Sequence, residues 1–145
     1  MNRLLDTPPK SRNELLASLM RRIGFCEERG SGIDKVVFQT ELHQLPAPLF
    51  EAPGDNMRAV LYAHKPFRQM DKGDKLRAAY LHACLRYVER DFMSNTSLRK
   101  RFGIEEKNSA IASRIIKDTL EAGLIVPFDE ESSRKYMKYI PIWAK

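Results

Sequence analysis

An α+β chain, in which helices lead into a β-hairpin twice over, is the fold class this sequence predicts, and three observations predict it. Apolar residues recur at i, i+3, i+4 and i+7 over several stretches, the mark of a helix with one buried face. Two other stretches pair short apolar or alternating segments across turn-forming residues, as strands of a hairpin do. The charge is also uneven: 9 basic and 8 acidic residues precede Pro66, whereas 16 basic and 11 acidic residues follow from it, so the net +6 sits mostly in the second half. With 145 residues, 43% of them apolar and 30% charged, the chain is sized for one domain or two small ones and is neither collagenous nor disordered. Cys26 and Cys84 are too few for a disulfide framework and suit a reducing cytoplasm. The longest apolar runs fall far below the roughly 20 residues that cross a bilayer, and the first residues lack a secretory signal, so no membrane association is expected.

Taken in order, residues 1–10 carry Pro8 and Pro9 without periodicity and read as an extended lead-in. Ser11-Arg12-Asn13-Glu14 reads as a capping box opening a helix to Arg22, with Leu15, Leu16, Leu19, Met20 and Ile23 on one side and Gly24 as its stop. Ser31 can cap a second helix reaching about Leu45, where Pro46 and Pro48 end it. Leu49 to Ala52, the turn Pro53-Gly54-Asp55-Asn56, and Met57 to Ala63 form a hairpin. Helix, helix and hairpin make a thin core, so residues 1–65 read as the tail of a larger domain, and its uncovered edge favours self-association into a homodimer. A linker is expected at 66–73, and a second domain at 74–145.

The second domain opens with the strongest periodicity of the chain, Leu76, Ala79, Tyr80, Ala83, Cys84, Tyr87 and Val88. A short helix from Ser94 to Gly103, a turn at Ile104 to Lys107 and a helix from Asn108 to Glu121 follow. Strands at Leu124 to Phe128 and Tyr136 to Ile140 close the chain around a charged loop. That order is a winged helix-turn-helix, whose third helix enters the major groove of double-stranded DNA. Periodicity turns Ala112, Ile115, Ile116, Thr119 and Leu120 inward and leaves Asn108, Ser109, Ser113, Arg114 and Lys117 outside, a set with base-edge donors and phosphate-binding groups. Arg99, Lys100, Arg101 and Lys107 flank the turn, and Arg134 with Lys135 sits at the wing tip. From Ser94 to Lys117 six basic residues face only two acidic ones, Glu105 and Glu106. A tri-helical winged domain that binds protein or dimerises remains the alternative.

Ser11-Arg12-Asn13-Glu14-Leu15-Leu16 leading to Cys26-Glu27-Glu28-Arg29-Gly30-Ser31-Gly32-Ile33 resembles the motif of RecG-related ATP-dependent DNA helicases and of transcriptional regulators that carry a Schlafen-type AlbA domain. Ser94 to Ile104, Ala110 to Ile125 and Tyr136 to Ala144 are similar to the winged helix that ends many of them. The resemblance implies that residues 1–65 are the end of an ATPase-like domain, that a Schlafen-type domain lies upstream and is absent here, and that the whole is a prokaryotic DNA-binding regulator. It also implies a weak nucleotide site at Gly30, Ser31 and Gly32, with ATP as a ligand of the longer protein; the structural alternative is that Gly30 and Gly32 supply positive-φ turns. The phosphate loop of a motor, G-x-x-x-x-G-K-[ST], has no match, so neither helicase nor ATPase activity is expected of this chain alone, nor any cofactor.

His43, His64 and His82 fall in three separate elements without partners at ligand spacing, so no metal site is expected. No catalytic residue is assigned, because no Ser-His-acid or paired-carboxylate set can be assembled from spacing. Phe128, Tyr136, Tyr139 and Trp143 read as core packing of the wing.

Overall fold

A computed structural model describes residues 5, 7, 8, 10–26, 30, 32–129, 131, 133 and 136–145. Among them are five α-helices and two antiparallel hairpins: α1 Glu14–Arg22, α2 Gly32–Leu42, β1 Leu49–Glu51, β2 Arg58–Val60, α3 Lys72–Val88, α4 Asn95–Phe102, α5 Ser109–Glu121, β3 Ile125–Pro127 and β4 Tyr139–Pro141. The chain is therefore α+β, as its periodicities predict. No helix among the described residues is long and apolar enough to cross a membrane.

Helix α1 starts two residues later than the capping-box reading. Asn13 is its N-cap, the side-chain oxygen accepting the Leu16 N–H at 2.9 Å, while Ser11 hydrogen-bonds the Glu14 carboxylate and caps nothing. Ser31, the expected cap of α2, lies outside the described residues. Gly30 has φ +67, but Gly32 is the first residue of α2 and not a positive-φ turn.

Every helix closes on a residue in the left-handed region: Gly24, Gln44, Arg90, Gly103 and Gly123. At Gly24 the Phe25 N–H reaches the Met20 carbonyl and the Gly24 N–H reaches the Arg21 carbonyl, a Schellman motif. Gln44 and Arg90 close α2 and α3 in the same hydrogen-bonding pattern, although neither is a glycine.

Helix α3 is the centre of the molecule. Besides the stripe read from the sequence, a second one, Ala78, Leu81, His82 and Leu85, is buried, and His82 meets Glu41 of α2 across it. Asp71 and Asp74 form its capping box, so α3 begins at Lys72. Buried Asp74 also takes Lys65 Nζ and Arg77 Nη2, each at 2.7 Å. Residues 66–73, expected as a linker, hold a 3₁₀ turn at Phe67–Gln69 and the buried Met70, with the Phe67 ring 5.2 Å from that of Phe102.

One cluster of buried side chains joins Leu5, Val37 and Ala47 to Met93, Leu98, Ile115, Ile116 and Ile125 around α3. Leu5 thus belongs to the core and not to a free lead-in. The buried stretch Pro46-Ala47-Pro48 offers carbonyls and few N–H groups, and two arginines satisfy it: Arg101 Nη2 donates to the Leu45 carbonyl at 2.7 Å and Arg77 Nε to that of Ala47 at 3.0 Å. In the second hairpin Ile125 pairs with Pro141 and Pro127 with Tyr139, and Met93 exchanges two backbone hydrogen bonds with Tyr139, extending that sheet by one residue ahead of α4.

Candidate nucleic-acid interface

Helix α5 has two faces. Ala112, Ile115, Ile116 and Thr119 are buried against α3 and α4, and Thr119 keeps its hydroxyl satisfied by donating to the Ile115 carbonyl at 2.7 Å. Asn108, Ser109, Ser113, Arg114 and Lys117 are all exposed on the other side. Gly103 at φ +63 ends α4 and turns the chain through a 3₁₀ segment, Glu106–Asn108, into α5. Asn108 occupies the N-cap position without a side-chain cap bond, which leaves its amide for other work.

The structure sorts the remaining candidates. Arg114 is exposed and lines a shallow groove together with Lys72 and Lys75 at the start of α3 and with Ile111. Those two lysines lie some forty residues upstream and were not among the sequence candidates; the signal available was their place in the first turn of α3, off its apolar stripe. Lys72 approaches Asp118 at 3.8 Å, and Lys75 stands over the Phe67 ring. Lys117 pairs with Glu121 at 3.6 Å and Lys107 with Glu105 at 2.7 Å, both exposed and salt-screened pairs that hold a cation only weakly. Arg99 is turned along its own helix, Nε donating to Asn95 Oδ1 at 3.1 Å. Ser113 Oγ accepts from Asn95 Nδ2 at 2.9 Å, and the same amide donates to the Ser109 carbonyl at 3.0 Å. Asn95, also missed from the sequence, therefore fixes α4 against the start of α5.

Lys100 is exposed, but Arg101 beside it is not: its side chain is only 2% exposed and sits between α2 and α4, Nε at 3.7 Å from Glu41 Oε2. Burial pulls its pKa below the ordinary arginine value, and Glu41 pulls it back up. The basic run Arg99-Lys100-Arg101 thus supplies one fully outward cation. Arg134 and Lys135 of the wing, and Ser31 of the weak nucleotide set, lie outside the described residues. Gly30 and Gly32 flank the start of α2, with open space around Gly32. On the second hairpin Phe128 and Tyr136 are exposed rather than packed in the core, Phe128 lying 4.4 Å from Phe92, whereas Trp143 meets the Tyr87 ring edge-on.

A buried polar chain was not foreseen at all. His82 Nδ1 lies 2.7 Å from Glu41 Oε1, and His82 Nε2 lies 2.9 Å from Ser97 Oγ. A carboxylate only accepts, so Nδ1–H donates to Glu41, while Nε2 meets a serine hydroxyl that also lies 3.1 Å from the Ser94 carbonyl. Carboxylate, imidazole and hydroxyl in that order is the sequence of groups in a nucleophilic triad. Here it works as a tie between α2, α3 and α4: Ser97 Oγ also accepts the Ser94 N–H in the α4 capping box, and the Ser97 N–H, a natural oxyanion donor, is spent on Ser94 Oγ at 3.2 Å. Among the described residues no group of three or more His, Cys, Asp and Glu is placed to hold a metal ion.

Comparison with known families places the first part of the chain. Residues 1–61 match the family "Putative ATP-dependent DNA helicase recG C-terminal". The match covers α1, α2 and the first hairpin, the segment in which the Arg12-Asn13 and Glu-Arg-Gly-Ser-Gly-Ile motifs fall, and it ends before α3. No curated protein and no solved structure matches the chain.

Proposed function

We propose that this chain is the DNA-binding module of a cytoplasmic transcriptional regulator, with residues from about 71 onward acting as a winged helix-turn-helix and α5 entering the major groove. The observation that carries the reading is the division of α5 into a buried apolar face and an exposed face bearing Asn108, Ser109, Ser113, Arg114 and Lys117. The DNA-helicase description of the family matched by residues 1–61 agrees with work on DNA. The two free cysteines, one exposed and one buried, suit a reducing compartment.

In this reading Arg114 reads a base edge with its planar fork, while Lys100 and Lys117 hold phosphates and the groove lysines Lys72 and Lys75 extend that contact along the backbone. Self-association belongs to the same reading. Leu15, Leu16, Leu19 and Ile23 are exposed on α1 and form the apolar face that a second copy would cover.

The test is a triple variant, Lys100→Ala with Arg114→Ala and Lys117→Ala, checked for folding by circular dichroism and titrated with duplex DNA at two salt concentrations. Loss of the two phosphate contacts should reduce the salt slope by about two, and loss of Arg114 should cost a further 1–3 kcal/mol, roughly, on a preferred site. Unchanged affinity and slope would place the nucleic-acid surface elsewhere or assign the domain to a protein partner.

A further inference from the structure

We infer that the cleft between α2, α3 and α4 is a binding site for a small phosphate monoester carrying a ring or other apolar group. The cleft holds about 550 Å³, within the range of small-molecule sites, and shares no lining residue with the groove at Arg114. Its floor is the buried polar chain. Glu41 is a single carboxylate that serves His82 at 2.7 Å, Arg101 at 3.7 Å and Arg86 at 3.9 Å. Arg86 is further compensated by Glu89 at 3.3 Å and Asp91 at 3.5 Å, but among the described residues Glu41 is the one acid paired with Arg101.

The result is a surplus of donors. Arg101 lines the cleft, its side chain is 98% buried, and among the described residues its Nη1 has no hydrogen-bond partner, nor has Arg86 Nε, against one unpartnered acceptor, Glu41 Oε2. A buried guanidinium nitrogen left unpaired is costly, and a charged acceptor at the cleft removes that cost. Lys100 and Lys138 reach the same space from α4 and from the start of β4, and Thr96 adds a hydroxyl. Four cations, Arg86, Lys100, Arg101 and Lys138, line the cleft against two carboxylates, Glu41 and Asp91, and that excess of positive charge favours a dianion over a monoanion. The upper walls are apolar: Phe38 from α2 and Phe92 ahead of α4, the latter with Lys138 4.9 Å over its ring. A phosphate on the cations and a ring between the two phenylalanines fill both parts.

The inference shares Lys100 with the DNA reading but none of its geometry requires DNA. A ligand seated here bridges α2 to α4, so it ties the family-matched segment to the helix that precedes α5.

Phosphate could also come from a DNA backbone, and the experiment separates the two sources. Arginine Nε–H resonances of the ¹⁵N-labelled full chain are followed while phenyl phosphate, inorganic phosphate or a short DNA duplex is added at constant ionic strength. The expected result is a saturable shift of the Arg86 and Arg101 signals with phenyl phosphate, and affinity for it about tenfold above that for inorganic phosphate. Because Arg101→Met risks unfolding the junction, the surface variants Lys100→Ala and Thr96→Val carry the test: each should raise the Kd for phenyl phosphate several-fold with an otherwise unchanged spectrum. Phe92→Ala should erase the advantage of phenyl over inorganic phosphate. No saturable shift at millimolar phenyl phosphate, or a response equal to that of sodium chloride, would overturn the inference. So would shifts produced by the duplex and not by phenyl phosphate.

Discussion

Replacing Glu41 by alanine should unfold the junction of α2, α3 and α4 more readily than any comparable change on the surface. The carboxylate is the hydrogen-bond acceptor of His82, which is 1% exposed, and the only acid within 4 Å of Arg101 among the described residues. Without it, a guanidinium that donates to the Leu45 carbonyl stays buried with no counter-charge, and the imidazole Nδ1–H loses its acceptor. Removing one partner of a buried ion pair costs about 3–5 kcal/mol, because the survivor has already given up its water. Set against a total stability of about 5–15 kcal/mol, that is a large fraction. For a chain near this length each kcal/mol moves the melting temperature by about 2–4 °C, so a drop on the order of 10 °C is expected. Urea denaturation at pH 7 followed by circular dichroism measures it. The control is Glu41→Leu with Arg101→Met, which removes both charges and keeps apolar volume; it still leaves the His82 Nδ1–H and the Leu45 carbonyl unpaired, but without a lone buried charge it should be milder than Glu41→Ala alone. A Glu41→Ala cost below about 1 kcal/mol, or a double variant worse than the single, would refute the reasoning.

Three more outcomes follow from single sites. Burial raises the Asp74 carboxyl pKa, but the Lys65 and Arg77 hydrogen bonds outweigh it and hold the group below its ordinary 3.8. The stability it contributes is therefore complete above that value and is lost as pH falls beneath it, so the unfolding free energy of the wild type should drop as the pH is lowered through and below 3.8, and that of Asp74→Asn should drop less. Burial pushes the Cys84 thiol up to about 11, while Cys26 is exposed, so at pH 8 one thiol should react rapidly with a disulfide reagent and the second only in denaturant; two fast thiols would count against the packing of α3. Arg90 closes α3 at φ +61, a conformation that costs an L side chain about 1 kcal/mol, so Arg90→Gly should raise stability while Arg90→Ala should not, as chemical denaturation would show.

How far each feature could be read depended on how local its cause is. Caps, stops and periods act within about four residues, so the start of α4 at Ser94, the glycines after α1, α4 and α5, and the inward set on α5 were all legible. Even there a choice between neighbours failed: Ser11 and Asn13 both suit an N-cap, and only the backbone geometry selects Asn13. Gln44 and Arg90 carry no glycine signal, because what holds them left-handed is the closure of a packed helix end and not their own preference.

The order of residues in this chain determined that it is α+β, that its charge is concentrated late, and that α5 has one polar face. Only the tertiary structure decided which of those charges reach solvent. Arg99, Lys100 and Arg101 are equivalent as letters, but each step along a helix turns by about 100°, and that rotation sends Arg101 under α2 to Leu45 and Glu41 while Lys100 stays outside. Glu41, His82 and Ser97 meet from three helices separated by 41 and 15 residues. No periodicity encodes such a meeting, because it is set by which helix faces bury the most apolar area together, and the polar groups on those faces must then satisfy one another.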